Sequence, residues 1–366
     1  NPELSKYVEA NYKEGKTDLA TVFVLRMMQM VYVNGYYSFI IPPSWMFLGS
    51  FEELRKKIIE NNCIQSLLHL SRGVFGADFG ASSAVIKNSK GEKTGTYFRL
   101  VERTFQEFDQ KHLRILFEKT LANHDFKYKF SDYSKEVSDI TYSEDGNRIY
   151  YPHVLQSNFT KIPGSPIGYW VSEKVIKSFL KPCIGTLFPV KKGMDTGDNS
   201  LFLRLWYEVE YQKIGLYLSN ESFLKLNKKW APYNKGGSQR KWYGNNDVFV
   251  LWENDGFALE NSKANLRSKS LYFQDSVTWN ALTSSSPTSR LSNYGALFDS
   301  AGSSMFPPQE ILYYILGFLN SQCASYILQF INPTLNFGAG TMSLLPYISS
   351  SNCDIDTFVH SSISIS

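Results

Sequence analysis

The sequence predicts an α/β region in its first third, followed by a mixed α+β region. Helical periodicity alternates with short apolar runs up to about residue 103, and polar, charged and aromatic residues then mix up to about residue 165. Beyond Pro166 the chain is richer in Gly, Asn, Ser and Trp, with short strand candidates and long loops. A length of 366 residues suffices for two domains, each with its own hydrophobic core.

The elements of the first third follow one another in a regular order. The segment KTDLATVFVLRMMQMVY has a helical period, with Thr17 or Asp18 as its N-cap. Asn34-Gly35 ends this helix, and the run GYYSFII before Pro42-Pro43 predicts a buried parallel strand. FEELRKKIIENN predicts a second helix and IQSLLHLS a second buried strand; SSAVIKNS and GTYFRLV predict two strands joined by the turn KGEKTG. This alternation indicates a three-layer α/β domain.

Composition narrows the class of protein. Hydrophobic residues make up 43% and charged residues 20%, as in globular proteins, and a net charge of +4 does not by itself indicate a polyanionic partner. The four cysteines lack metal-ligand spacing, which argues against a zinc site or a disulfide framework and favours a reducing compartment. The apolar run ILYYILGFLNSQCASYILQFI is interrupted by polar residues and predicts a core helix rather than a membrane span. The chain begins with Asn1, so we expect its natural start to lie upstream.

The segment KWAPYNKGGSQRKWYGNN, residues 229–246, is the strongest sign of a binding surface. It fits neither a helix nor a strand pattern, and residues 222–246 contain no acidic side chain. Lys and Arg contact phosphates, aromatic rings stack on unpaired bases, and Gly lets a backbone approach closely. The segment therefore indicates a nucleic-acid surface; the alternatives are a loop whose aromatic residues pack into the core, or a sugar-binding surface.

Three further segments have both a structural and a functional interpretation. FIIPPSWMF places Ser44 and Trp45 after a strand, at the edge where open α/β sheets bind ligands, but the pattern alone favours a loop whose Trp45 packs inward. SRGVFGADFGASSAVI puts Phe75 on a glycine-rich loop, either as a base-stacking ring or in a structural turn. GMDTGDNSLFLRLWYEV contains Asn199 and Arg204, residue types that read base edges; a turn leading into a half-buried strand explains it equally well.

Familiar catalytic groupings are missing from the sequence. The five histidines are scattered without ligand spacing, and there is no GxSxG, Walker or HExxH motif and no paired-carboxylate signature. The loop INPTLNFGAGTMSLLP indicates a structural role only. No metal site is predicted.

Taken together, these segments resemble large adenine-specific DNA methyltransferases of the BREX phage-defence and type IIG restriction–modification kind. The resemblance extends from residue 3 to about residue 348, through KTDLATVF, GYYSFIIPPSWMF, FEELRKKII, SRGVFGADFGASSAVIK, TGDNSLFLRLWYEV, KWAPYNKGGSQRKWYGNN, WENDG and NPTLNFGAGTMSLLP. It implies S-adenosylmethionine as cofactor, double-stranded DNA as partner, and methylation of the exocyclic amine of a flipped adenine. It also implies a prokaryotic, cytoplasmic protein with no membrane partner, and it leaves room for other phage-defence proteins as partners.

The resemblance also implies a domain organisation. Residues 1–115 would be the C-terminal part of the Rossmann-like, cofactor-dependent catalytic domain, residues 116–165 a connecting segment, residues 166–350 the target-recognition domain, and residues 351–366 a polar tail. Phe75 and Trp45 would line the target-base pocket. The DNA-binding residues would be Asn199, Arg204, Lys229, Trp230, Tyr233, Lys235, Arg240, Lys241, Trp242, Tyr243, Asn245 and Asn246.

The sequence departs from this family in one respect. The glycine-rich cofactor loop and the Asn-Pro-Pro-Tyr motif lie upstream of the matching region, and Asn1-Pro2-Glu3-Leu4 resembles the segment just beyond that motif. We therefore expect no catalytic residue in this chain, dependence on the missing N-terminal half, and an exposed apolar sheet edge without it. The alternatives are a catalytically inactive DNA-binding specificity protein and a carbohydrate-binding module.

Overall fold

A computed structural model describes residues 1–76, 79–91, 93–102, 106–133, 139–283, 287–332, 336–348 and 354–366. The chain forms two compact units, Asn1–Leu180 and Lys181–Ser366. This division lies C-terminal to the predicted boundary at residue 165. Each unit is a mixture of helices and sheets, in agreement with the α/β and α+β character expected from the sequence.

The first unit contains five α-helices and seven strands among its described residues. The helices are α1 (Pro2–Asn11), α2 (Leu19–Met30), α3 (Glu52–Asn61), α4 (Gln110–Ala122) and α5 (Glu173–Ser178). The strands are β1 (Tyr36–Ile41), β2 (Cys63–Leu70), β3 (Ala81–Lys87), β4 (Thr94–Arg99), β5 (Lys127–Tyr128), β6 (Asn147–Arg148) and β7 (Tyr150–Leu155). Asp18 caps α2 by accepting a hydrogen bond from the backbone N–H of Ala20 at 2.8 Å, which confirms one of the two predicted caps.

The main sheet of the first unit has the strand order β1-β3-β2-β4-β7. Strand β3 runs antiparallel to both β1 and β2, while β2 and β4 are parallel and β7 is antiparallel to β4. The prediction of a buried parallel strand at Tyr36–Ile41 was therefore wrong in two respects. Strand β1 pairs antiparallel with its neighbour, and it is an edge strand whose residues alternate between exposed and buried.

The core of the first unit lies between this sheet and its helices. Trp45, Met46, Leu54, Ile58 and Ile64 are almost completely buried there. The guanidinium of Arg55, also buried, donates hydrogen bonds to the backbone carbonyls of Trp45, Leu48, Gly164 and Ser165. These bonds fix the segment after β1 against α3, and burial lowers the pKa of Arg55 to about 10.

The second unit contains the remaining elements. Its helices are α6 (Ile184–Leu187), α7 (Asn199–Phe202), α8 (Asn220–Lys225), α9 (Glu253–Glu260), α10 (Gln309–Leu319), α11 (Gln322–Ile331), α12 (Ala339–Ser343) and α13 (Asp354–Ile365). Its strands are β8 (Val190–Lys191), β9 (Leu203–Leu205), β10 (Trp230–Asn234), β11 (Val248–Leu251), β12 (Ser276–Trp279), β13 (Ser289–Ser292), β14 (Leu297–Phe298) and β15 (Ser304–Met305). They form two sheets, in the orders β14-β10-β11-β9 and β13-β12-β15-β8.

The C-terminal part of the second unit differs from two predictions. The single helix expected near 308–330 is two helices, α10 and α11, bent by 72° at a break where Ser321 caps α11. In the part of the chain that the structure describes, no single helix is long and apolar enough to cross a bilayer, and α10 and α11 pass that test only as a bent pair.

The predicted polar tail is the second difference. Within it, residues 354–366 contain helix α13, which packs against α10. Val359 is buried, and His360 lies 3.9 Å from the ring of Tyr313, centroid to centroid. The helix was missed because the many serines of this segment conceal the helical spacing of its apolar residues Ile355, Val359 and Ile363. Pro333, Thr334 and Leu335 of the loop INPTLNFGAGTMSLLP lie outside the described residues.

Candidate nucleic-acid interface

Strand β10 forms the first part of the segment predicted to be an irregular loop. Trp230–Asn234 pairs antiparallel with β11 and parallel with β14, so the prediction that residues 229–246 contain no strand was wrong. The remaining irregular segment, residues 235–247, is here named the basic aromatic loop. Lys229, just before the strand, lies 3.6 Å from the carboxylate of Glu253.

Backbone hydrogen bonds attach the basic aromatic loop to β13. The N–H of Trp242 donates to the carbonyl of Ser289 at 2.9 Å, and the N–H of Leu291 donates to the carbonyl of Trp242 at 2.8 Å. Trp242 has a φ of 71°, an uncommon conformation for a bulky residue, which these two bonds hold in place. The middle of the loop is thus fixed to a strand of the neighbouring sheet.

Side chains attach the loop at further points. Asn280 donates its amide N–H to the carbonyl of Gly237 at 2.7 Å and accepts a hydrogen bond from Nη2 of Arg290 at 3.0 Å. Within the loop, the amide of Asn245 donates to the carbonyl of Ser238 at 2.8 Å, and the Ser238 hydroxyl donates to the Asn245 side-chain oxygen at 3.0 Å. A loop held in this way loses little conformational entropy when it binds a partner.

The cations of the loop differ in their availability. Arg240 and Lys241 are exposed, and Lys241 Nζ lies 3.4 Å from the backbone carbonyl of Asn320. The side chain of Arg240 lies close to the backbone of Gly244. A Cβ atom added at Gly244 would be only 2.9 Å from Cδ of Arg240. Lys235 lies 3.9 Å from the carboxylate of Asp299, which compensates part of its charge. Arg240 and Lys241 are therefore the loop cations best placed to meet a phosphate.

Tyr233 does not belong to the surface, contrary to the prediction that it binds DNA. Its side chain is 2% exposed, and its hydroxyl donates to Oδ2 of Asp299 at 2.9 Å. Burial, with the Asp299 carboxylate nearby, raises the pKa of Tyr233 far above its usual value, so the phenol remains neutral. This tyrosine is a core residue that positions Asp299.

The other aromatic residues of the predicted interface are half-buried. The ring of Trp230 lies 5.8 Å from the guanidinium of Arg204, whose Nη1 also donates to the carbonyls of Ser200 and Leu203. Trp242 and Tyr243 are also half-buried. These rings can contribute an edge or one face to a ligand.

Asn199 and Arg204 lie at a turn leading into a half-buried strand, the structural alternative considered above. Asp198 caps α7 by accepting from the N–H of Leu201 at 3.2 Å, and β9 follows directly. Asn199 is exposed and accepts a hydrogen bond from the Thr196 hydroxyl at 2.7 Å. Asn246 is likewise exposed, whereas Asn245 is engaged inside the loop.

In the first unit, Phe75 and Trp45 have opposite environments. Phe75 is 66% exposed in a tight turn, Val74–Gly76, and has a φ of 65°. Trp45 is 1% exposed, its Nε1 donates to Oγ of Ser82 at 2.9 Å, and its ring packs edge-on against Phe39. The ring of Trp45 is thus part of the core, as the alternative of inward packing expected, whereas Phe75 has the exposure that a base pocket requires.

Sequence reasoning missed Asn280 and Arg290, two buried residues that support the basic aromatic loop. Asn280 reaches the loop across 43 residues of sequence, and Arg290 holds Asn280 from the neighbouring strand β13. No local pattern marks such residues. A weak signal was available in the sequence SRLS, where an arginine stands inside a short strand.

Comparison with known proteins identifies relatives of this chain. Residues 1–75 match the family of the Eco57I restriction-modification methylase. Adenine-specific methyltransferase BrxX of Escherichia coli O9:H4 (strain HS) is 33% identical over 97% of this chain and 27% of its own length. Adenine-specific methyltransferase PglX of Lacticaseibacillus casei (strain Zhang) is 33% identical over 94% of this chain and 28% of its own length.

One solved structure supports the fold. The type IIL restriction-modification enzyme MmeI, determined in complex with DNA, matches 100% of this chain and 47% of its own chain with a TM-score of 0.55 at 11% identity. These findings confirm the resemblance to adenine-specific methyltransferases. The chain spans little more than a quarter of the length of the two curated relatives.

Proposed function

Because this chain is related over nearly its whole length to adenine-specific methyltransferases, we propose that it forms part of a site-specific adenine DNA methyltransferase. In this proposal it supplies target recognition and one wall of the target-base pocket. The observation that carries the proposal is the 33% identity to BrxX over 97% of the chain. The reaction, the substrate and the partners of the whole enzyme are part of the proposal, since the chain spans only a fraction of its relatives.

The second unit, in this proposal, carries the recognition of duplex DNA. Arg240 and Lys241 would contact phosphates, and the exposed amides of Asn199 and Asn246 would reach base edges. The attachment of the loop through Asn280 and Trp242 supports this role, because a fixed loop can hold a register on the duplex. Two hydrogen bonds hold Arg204 over Trp230, so we assign it to shaping this surface rather than to reading a base.

The first unit would contribute Phe75 to the target-base pocket. Strands β1, β2 and β4 end at the same edge of the main sheet. Four residues lie in register across this edge: Ile41, Ser82, His69 and Arg99. Ligands of open α/β sheets bind at such an edge. Phe75 follows β2 by a short turn and is exposed, which supports its role as the ring that stacks on a flipped adenine.

We further propose that the missing half of the catalytic domain pairs with β1. This edge strand exposes Tyr36 and Ile40, and the adjacent α2 exposes Phe23 and Met30. Tyr32, between the two elements, is 90% exposed. An edge strand beside a run of exposed apolar side chains favours pairing with further strands.

The residues of this chain do not fit a complete site for S-adenosylmethionine. In the described part of the first unit, helices α2 to α5 have Asp18, Phe51, Asp109 and Ser172 as N-caps, and none of these residues stands in a glycine-rich loop. No residue is assigned to the cofactor or to methyl transfer. We place both in the missing half, together with the Asn-Pro-Pro-Tyr motif. The same proposal includes a role of the whole enzyme in phage defence, a cytoplasmic location and other defence proteins as partners.

DNA binding and its salt dependence test the proposed function. We expect the chain to bind a labelled duplex, measured by fluorescence anisotropy, with an affinity that falls steeply with salt. In the double variant Arg240→Ala, Lys241→Ala, the slope of log K against log salt should fall by about 0.9 for each phosphate that the loop no longer neutralises. The double variant Lys111→Ala, Arg114→Ala on α4, which removes the same charge, is the control. An equal fall in both double variants would reject the loop as the phosphate-binding element, and no duplex binding at all would reject the function.

A catalytically inactive DNA-binding protein is the second candidate. Its support is the exposed position of Arg240 and Lys241, which a DNA-binding protein needs whether or not it transfers a methyl group. The coding DNA upstream of Asn1 separates the two candidates: a frame that continues into both motifs supports the methyltransferase, and a start codon with no partner gene supports the inactive protein.

A further inference from the structure

The second unit contains a pocket beside the basic aromatic loop, with a cavity volume of about 80 Å³. Tyr217, Tyr243 and Tyr294 form aromatic walls, and Asn246 lies on the loop side. Tyr217 and Tyr294 are largely exposed at the mouth. The pocket is therefore open to solvent and flanked by flat rings.

The interior combines an apolar floor with fixed polar groups. Pro232 and Phe249, opposite each other in β10 and β11, supply the floor. The amide of Asn293 donates to the hydroxyl of Tyr243 at 3.4 Å, and the amide of Asn234 donates to the hydroxyl of Ser292. These bonds fix both amides, so that a ligand meets oriented donors and acceptors.

The lining is uncharged among the described residues that form it. Burial raises the pKa of Tyr243, so its phenol stays neutral at physiological pH. A neutral pocket with aromatic walls and amide groups suits a planar, uncharged ring whose edge carries hydrogen-bonding groups. An ammonium or carboxylate ligand would find no opposite charge there.

We propose that this pocket receives a single nucleobase from an unpaired or extruded position of the bound DNA, separate from the target adenine. The loop that supplies Tyr243 and Asn246 to the wall also carries Arg240 and Lys241, so backbone contacts would lie next to the base. Tyrosine stacks on any base, and asparagine can pair with a base edge. The inference rests on the proposed function for the source of the base, but its ligand can be tested without duplex binding.

The first experiment uses the four deoxynucleosides, which carry no phosphate. Saturation-transfer NMR with the whole chain should show transfer to base protons, and the double variant Tyr217→Ala, Tyr294→Ala, which removes two exposed walls of the pocket, should lose it. Tyr207→Ala is the matched control, since Tyr207 is an exposed tyrosine of the same unit outside the lining. Transfer in the wild type that persists unchanged in the double variant, or no transfer at all, would overturn the proposal, as would stronger competition by N-acetyl-tryptophanamide than by any nucleoside.

The second experiment compares a fully paired duplex with the same duplex carrying one unpaired 2-aminopurine. We expect the chain to bind the bulged duplex at least about five-fold more tightly, as one base–aromatic stack allows, and the double variant to bind both equally. Equal binding by the wild type, with the loop-cation salt effect intact, would overturn the pocket while the proposed function stands. Nucleoside binding without any duplex binding would support the pocket and reject the proposed function.

Discussion

Arg290 is a buried arginine whose charge is incompletely satisfied. Its Nη2 donates to Asn280, whereas Nε and Nη1 have no hydrogen-bond partner among the described residues, and burial lowers its pKa to about 10. A buried cation without a carboxylate costs free energy, so its presence must serve something other than stability. Its one bond orients Asn280, which in turn holds the carbonyl of Gly237 in the basic aromatic loop.

Replacing Arg290 should therefore separate stability from binding. We expect Arg290→Met to leave the free energy of unfolding within about 1 kcal/mol of the wild type, or to raise it, because the desolvation cost disappears. Duplex affinity should fall several-fold, since the loop loses an attachment. Urea unfolding and anisotropy measure the two effects, with Asn280→Ala expected to reproduce the loss of binding. A loss of more than about 3 kcal/mol of stability would show that the buried charge is stabilised after all.

His69 is a second buried titratable residue, enclosed by Phe47 and Trp170 in the first unit. Burial, and secondarily the charge of Arg99, lowers its pKa from 6.5 to about 3. In the unfolded chain His69 is protonated below about pH 6.5, whereas in the folded chain it stays neutral down to about pH 3. The free energy of unfolding therefore falls as the pH falls through this range.

This linkage gives a measurable pH dependence. Between pH 6.5 and pH 4 the free energy of unfolding should fall by at most about 1.4 kcal/mol per pH unit from His69 alone. His69→Leu should flatten that slope. Urea unfolding at a series of pH values provides the comparison. Identical slopes in wild type and His69→Leu would show that His69 is protonated in the folded chain.

At the scale of elements, β10 shows why a strand can escape sequence reasoning. Pro232 argues against a strand with neighbours on both sides, because proline cannot donate a ladder hydrogen bond. In the structure Pro232 faces Phe249 of β11, while the pairing with β14 involves only Tyr233 and Asn234. Proline is tolerated because the parallel neighbour begins one residue later. The helices α2 and α3, whose periodicity is strong and local, were predicted correctly.

Packing between α10 and α13 gives an element-scale prediction. A Cβ atom at Gly317 would lie 3.0 Å from Val359 and 3.2 Å from Ile355, so a large side chain there must displace α13. We expect Gly317→Leu to destabilise the chain by about 1–3 kcal/mol and to speed proteolysis within residues 354–366. Gly340→Ala in α12 meets no atom within 4 Å and should be neutral or slightly stabilising. Unchanged proteolysis of Gly317→Leu would mean that α13 is not held by this packing.

At the scale of the whole molecule, the chain should not methylate DNA alone. The proposed division of labour places cofactor binding and catalysis in the missing half, so transfer from labelled S-adenosylmethionine to a duplex should stay at background. The same assay with a chain extended through both missing motifs provides the positive control. Methylation by the purified 366-residue chain, after removal of co-purified enzymes, would contradict this division.

Local features of the chain could be predicted from the sequence, whereas features that depend on distant contacts could not. The mixture of helices and strands, and their succession in the first third, were predictable, since periodicity is a local property. Other features depend on partners distant in the chain, which one sequence does not reveal. They are the edge position of β1, the burial of Trp45 and Tyr233, and the support of the loop by Asn280. Phe75 could be singled out because the glycines around it mark a turn with positive φ.

The pairing of β10 with β14 has a consequence for how the protein is made. Tyr233 and Asn234 meet Leu297 and Phe298, and Trp242 is held by Ser289 and Leu291. The basic aromatic loop is therefore synthesised before the residues that fix it in place. Such non-local closure is slow because loop entropy must be lost before the pairing forms. During synthesis the cationic segment emerges before its scaffold, and it acquires its folded geometry only after the strand at residue 297 has left the exit tunnel.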